Sequence, residues 1–178
     1  MDELTPTAMH DAVLAAIRAQ FPDLATVTDY RELGEAQTEL PLPAVLVEMT
    51  DLEWGGIEAD DGTGRLAADT VWDLTIVMGF RTEAVGRALR DFAAALAVFL
   101  HGNRWGLRSV EPAVFTVGEV HEFSPVLSNY QAWRIEFRQR AFLGSNVWAN
   151  DGTVPEALFS WSPDIGLDHI ADYEGIDA

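Results

Sequence analysis

Two stretches of the chain repeat apolar residues at the three-to-four spacing of a helix, and several others alternate apolar with polar residues as strands do. Thr5 and Pro6 form a helix-start pair, because a hydroxyl accepts from the free amides of the first turn and proline has no amide to lose there. A helix is expected from there to about Phe21, with Val13, Leu14, Ile17 and Phe21 on one face and Pro22 ending it. Leu24 to Tyr30 reads as a short edge strand, and Arg31 to Leu42, ending at Pro41 and Pro43, as a loop. Ala44 to Met49 and Thr70 to Phe80 read as strands, the second with Trp72, Leu74, Ile76, Met78 and Phe80 on one face. Between them Gly55, Gly56, Asp60, Asp61, Gly62 and Gly64 suit a long hairpin tip or loop. Thr82 and Glu83 are expected to open a second helix, with a stripe of Val85, Leu89, Phe92, Leu96 and Phe99 and a left-handed stop at Gly102 and Asn103. Val114 to Val120 and Tyr130 to Leu143 are two further strands, joined by a turn around Ser124, Pro125, Ser128 and Asn129. In the second, Trp133, Ile135 and Phe137 alternate with Arg134, Glu136, Arg138 and Arg140, so one face is buried and the other charged. The order is helix, strands, helix, strands.

Residues 145–178 break with this patterning. They hold seven acids and no arginine, yet carry Val147, Trp148, Leu158, Phe159, Trp161, Ile165, Leu167, Ile170 and Tyr173, with no long period of either kind. Disorder follows low hydrophobicity, so this segment reads instead as an extended arm that packs on its own domain or on a neighbouring subunit. The expected organisation is a domain over 1–144 and an aromatic, acidic arm over 145–178. A length of 178 residues fits one core with modest extensions.

Charge narrows the function classes. All eleven basic residues are arginine, and against 29 acids they leave a formal charge of −18. Such a chain repels phosphate backbones and anionic membranes, although DNA can slide past it. The residues from Glu48 to Asp73 hold eight acids and Arg65 alone as a base, so this projection must be solvated or face a basic partner. With no cysteine, disulfides, thiolate metal sites and cysteine nucleophiles are excluded. The first residues lack a basic stretch ahead of an apolar run and do not read as a targeting peptide. The strongly apolar run from Phe92 to Leu100 is too short to cross a bilayer.

No catalytic or ligand signature emerges. His10, His101, His121 and His169 are scattered outside any metal-ligand spacing, so neither a metal nor a cofactor is expected. The run from Asp60 to Gly64 lacks the bidentate glutamate of a calcium loop and the Gly-Lys pair of a phosphate loop, and it reads as a turn. No serine sits in a nucleophile elbow. The local concentration of positive charge is Arg134, Arg138 and Arg140. It reads either as a solvated sheet face paired to Glu119 or Glu122, or as a subunit interface, since arginine pairs carboxylates bidentately.

The α-β-β-α-β-β order within residues 5–144, the acidic hairpin and the aromatic C-terminal arm together resemble the tail terminator (tail completion, or neck) proteins of long-tailed bacteriophages. The likeness is to the version in phages and prophages related to phage Mu. It rests on MHDAVLAAIRAQFP, LPAVLVEM, WDLTIVMGF running into RTEAVGRALRDFAAALAVFLHGNRW, and YQAWRIEFRQRAFLG. These are patterns of element order and hydrophobicity and contain no catalytic signature. The arm, with VWANDG and WSPDIG, is longer than the minimal family domain needs.

The resemblance implies an α/β (α+β) subunit with a mixed or antiparallel sheet of four to five strands flanked by two helices. It also implies a ring, usually six-fold, at the head-proximal end of the tail tube, so the partners are copies of the chain, the tube protein and a head-side neck protein. DNA is only passing cargo, no membrane is involved, and the location is the virion after assembly in the host cytoplasm. Arg134, Arg138 and Arg140, Asp60 and Asp61 on the hairpin, and Trp148, Phe159 and Trp161 on the arm become candidate interface residues. Two alternatives stand beside this reading. One is another head–tail connector or head-completion protein, and the other is a small soluble ligand-binding or enzymatic α/β domain with a pocket under the hairpin.

Overall fold

The computed structural model describes residues 3–30, 40–79, 83–121, 130–147, 158–161, 163 and 165–175. Helix α1 is Pro6–Gln20, and the Thr5 hydroxyl accepts from the Ala8 amide at 3.1 Å, the N-cap its sequence foretells. Strands β1 (Thr26–Asp29), β2 (Ala44–Trp54) and β3 (Leu66–Gly79) precede helix α2 (Val85–Leu100), and β4 (Val114–Val120) and β5 (Tyr130–Leu143) follow it. The sheet order is β1-β2-β3-β5-β4, with β1 parallel to β2 and every other neighbour antiparallel. The fold is therefore α+β, a mixed five-stranded sheet with two helices.

Both helices lie on the same face of the sheet. Met9, Val13, Leu14 and Ile17 of α1 and Leu89, Ala93, Leu96 and Leu100 of α2 share one core with Val45, Val47, Trp72, Leu74, Ile76, Ile135 and Phe137. Each Val, Leu, Ile, Met or Phe among them contributes about 1.5–3 kcal/mol when fully buried. The Trp72 and Phe137 rings stack at 5.7 Å, and Phe21 meets Phe92 and Phe99 edge-on where the two helices touch. Polar groups inside this core are paired. Trp72 Nε1 donates to Thr70 Oγ1 at 2.8 Å, Trp105 Nε1 donates to Gln139 Oε1 at 2.6 Å, and Gln139 Nε2 donates to the Glu111 carbonyl at 2.7 Å.

Three expectations need correction. Helix α2 does not include Glu83, and Thr82 lies outside the described residues. Its N-cap is Ala84, held at φ 49° with no side-chain cap, and its first helical residue is Val85. The hairpin strands are longer than their composition predicts. β2 continues through Asp51, Leu52, Glu53 and Trp54, and β3 already begins at Leu66, because cross-strand pairing of Trp54 with Ala68 overrides the weak strand preference of acids and alanine. The buried stripe of α2 centres on Leu89, Ala93, Leu96 and Leu100, which leaves Phe92 and Phe99 at its border against Phe21. Phe80 and the turn from Ser124 to Asn129 lie outside the described residues.

Trp148–Ala178 forms a second unit, separate from Met1–Val147. Within it β6 (Leu158–Phe159) pairs antiparallel with β7 (Glu174–Gly175), with a 3-10 turn over Leu167–Asp172 between them. The Gly166 amide donates to the Tyr173 hydroxyl at 3.0 Å.

Candidate assembly surfaces

Antiparallel pairing of β5 with β3 and β4 brings its arginines beside carboxylates on the face away from the helices. Arg134 stands opposite Thr75 on one side and Glu119 on the other, so its guanidinium reaches three acids. Nε and Nη2 donate to the two Asp73 oxygens at 2.9 and 2.7 Å, Nη1 donates to Glu119 at 3.0 Å, and Nη2 also donates to Glu136 at 2.8 Å. The Asp73 hydrogen bonds, ahead of the other contacts, hold the Arg134 guanidinium well above its ordinary pKa. Arg140 forms a bidentate pair with Asp69, at 2.8 and 2.9 Å, and this pair lowers the Asp69 pKa. Arg138 differs. Its side chain is 59% exposed and its ion pair, to Glu136, is long at 3.6 Å.

Asp60 and Asp61 turn inward on their own loop. Asp60 accepts from the Gly62 amide at 2.8 Å, and Asp61 accepts from the Thr63 amide at 3.0 Å, the Thr63 hydroxyl and Arg65. The Thr63 hydroxyl is the main cause of the lowered Asp61 pKa. Arg65 then ties the loop to the body, donating to Ser109 Oγ at 2.7 Å with its guanidinium over the Phe142 ring. Gly64 sits at φ 73°, and a Cβ there would lie 2.7 Å from a Val147 methyl, so only glycine fits. The tip is thus fixed in place, and large apolar side chains stand out from it: Trp54 is 69% exposed and Ile57 81%, beside the half-exposed Leu52 and Leu66.

β2 runs on from Glu48 to Trp54 past its last pairing with β1, at Val47, and among the described residues no strand covers that edge. A register shift between Met49 and Asp51, together with Glu48, Asp51 and Glu53, guards it as natural edge strands are guarded. Of the arm candidates, Trp148 lies outside the described residues, Phe159 is placed in β6, and Trp161 is 79% exposed.

Sequence reading missed the arginines on the helical side. Arg87 and Arg90 on α2, and Arg104 and Arg108 in the turn after it, are exposed and have no ion-pair partner among the described residues. On α2 the exposed residues Arg87, Arg90, Ala94 and Val98 recur at intervals of three and four, opposite the buried stripe, and Asp91 lies beside them. That recurrence is legible in the sequence. What hides it is the neighbouring cluster on β5, whose arginines are closer together along the chain.

No family model matches this chain, and no curated protein matches it. Solved structures are similar to it in part, among them a chain of the virion of a native gene transfer agent (GTA) particle, 18% identical, with a TM-score of 0.47, covering 76% of this chain and 98% of that one.

An open cavity of about 560 Å³ lies on the charged face beside Glu53, Asp69, Arg138 and Arg140, and two smaller ones lie elsewhere. One of about 310 Å³ is lined by Pro6, Thr7, His10, Asp29, Glu48 and Met49. Its histidine is engaged in the fold, with Nε2 3.3 Å from the Val47 carbonyl and its ring stacked on Trp72. A second, of about 320 Å³, lies beside Arg90 and is lined by Leu89, Val120, His121, Tyr130 and Trp133 among others. Among the described residues no group of three or more acids and histidines could hold a metal ion, and no helix is long and apolar enough to cross a membrane. The chemistry these surfaces offer is recognition, through exposed aromatic and aliphatic groups framed by charge.

Proposed function

We propose that this protein is a structural virion subunit, a tail terminator of the kind found in phages related to Mu. Copies of it form a six-fold ring on the head-proximal end of a tail tube, end tube polymerisation there and join the tail to the head-side neck, without catalysing a reaction. The observation that carries an assembly role is the β2–β3 hairpin. It holds Trp54 and Ile57 in water on a tip fastened by Arg65 and by cross-strand pairing. Exposed apolar groups rimmed by charge are what an interaction surface presents. The tube and the neck as partners come from the resemblance of the element order and sequence patterns. The charge of −18 suits a ring through which DNA passes without adhering. In this reading Arg138, Asp60, Asp61, Trp148, Phe159 and Trp161 belong to contacts with subunits or tube.

The test is native mass and negative-stain microscopy of the purified chain, alone and mixed with sheared tail tubes. A ring that binds one end of the tubes is the expected result. A chain that stays monomeric in both conditions, or rings that ignore tube ends, would overturn the reading.

A further inference from the structure

The exposed hairpin and the α2 pair Arg87 and Arg90, which have no ion-pair partner among the described residues, lie at opposite ends of the same sheet. The hairpin end is where Leu66 of β3 pairs with Leu143, whereas Gly86, one residue before Arg87, lies against Gln131, which pairs with Met78 at the other end of β3. The fourteen residues of β3 span roughly 45 Å. The two patches therefore cannot meet within one subunit, although their charges are opposite: Glu58 on the hairpin, Arg87 and Arg90 on α2. Surfaces of opposite charge at opposite ends of one molecule fit a head-to-tail contact between copies, the kind that closes into rings.

The apolar parts match as well. Beside Arg90, the cavity of about 320 Å³ has walls of Leu89, Val120, Tyr130 and Trp133, a size and lining that suit one indole ring. In its wall His121 Nε2 is buried and has no hydrogen-bond partner among the described residues. A buried indole needs an acceptor for its N–H, and a neutral imidazole nitrogen supplies one. Ala94 and Val98, the latter 78% exposed, continue the surface along α2 with small side chains that let a strand hairpin approach.

We propose that the β2–β3 hairpin of one copy docks on the α2 end of the next, with Trp54 entering the cavity beside Arg90 and His121, and Glu58 facing Arg87 and Arg90. This names the subunit contact of the ring proposed above and rests on that reading. Arginine and tryptophan are the residues that most often dominate such contacts.

Light scattering over a concentration series tests it on the full chain, with circular dichroism confirming the fold of each variant. Trp54→Ala and Arg90→Glu are each expected to raise the concentration for half-assembly about thirtyfold. The swap Glu58→Arg with Arg90→Glu is expected to restore assembly that either reversal alone weakens. A wild-type chain that is monomeric, alone and with tail tubes, overturns the ring and this contact together. A wild-type ring that survives both Trp54→Ala and Arg90→Glu, or a swap that restores nothing, overturns this contact alone and leaves the ring standing.

Discussion

Strand β5 turns Ile135, Phe137, Gln139 and Ala141 towards the helices and Arg134, Glu136, Arg138 and Arg140 away from them. On the helical side the fold excludes water. Trp72 stacks on Phe137, and the buried Gln139 amide is held from both ends by Trp105, Asn103 and Glu111. On the other side the same strand meets water with charges that cancel locally, Arg134 among three acids and Arg140 on Asp69. The arginines of α2 stand in a third situation, exposed and without partners among the described residues. In a chain of net charge −18 the arginines most available to a partner are therefore those on α2 and in the turn after it, whereas Arg134 and Arg140 of β5 are consumed by the fold itself.

The sharpest break of this contrast comes from the helical face. Trp72→Ala removes a fully buried indole from the centre of the sheet and leaves Thr70 without its donor partner. We expect a loss of about 4 kcal/mol, read as a lowered urea midpoint, because the neighbouring rings cannot collapse into the void. A loss under about 1 kcal/mol would mean that the Trp72–Phe137 stack does not organise the core.

A smaller loss is expected on the charged face. Arg134→Ala leaves Asp73 and Glu136, both partly buried, facing each other without their shared cation. The cost should be about 2 kcal/mol, between that of a surface ion pair and a buried one. Assembly measured well below the unfolding transition should change little. If instead Arg134→Ala dissolves the oligomer while the urea midpoint holds, the guanidinium acts at an interface and the contrast with α2 fails.

How far the sequence foretold this arrangement depends on the distance over which each signal acts. Thr5 and Pro6 placed α1 to within a residue, because capping and helix periodicity are local. The alternation from Tyr130 to Leu143 was legible for the same reason, and Glu119 was named among the partners of its charged face. Asp73 and Asp69 as the principal partners were not legible. They depend on the register of β5 against β3, 61 and 71 residues away along the chain. The left-handed Ala84 was equally hidden, since nothing in alanine marks it for that conformation. Among the candidate contact residues the hairpin acids stand out by composition, and Asp60 and Asp61, both exposed, also hold their own turn. The exposed Trp54 read only as part of a loop until pairing with Ala68 made it a strand residue.

The smallest effect is the most specific. Asp69 has its pKa lowered from 3.8 chiefly by the Arg140 hydrogen bonds. A carboxylate depressed in the folded state adds stability that is fully present above its unfolded pKa and is lost as pH falls through the folded value. Arg140→Gln removes that cause, so the variant should be less stable than the wild type near neutrality. The gap should close as the pH drops below the folded pKa of Asp69, where both proteins carry it protonated. Urea midpoints of the two proteins from about pH 7 to about pH 2.5 read this directly, because other carboxylates titrate alike in both and cancel in the difference. A gap that stays constant over the whole range would show that Arg140 stabilises the sheet by packing its stem rather than by holding Asp69 ionised, and the charged face would then owe less to its ion pairs than its geometry indicates.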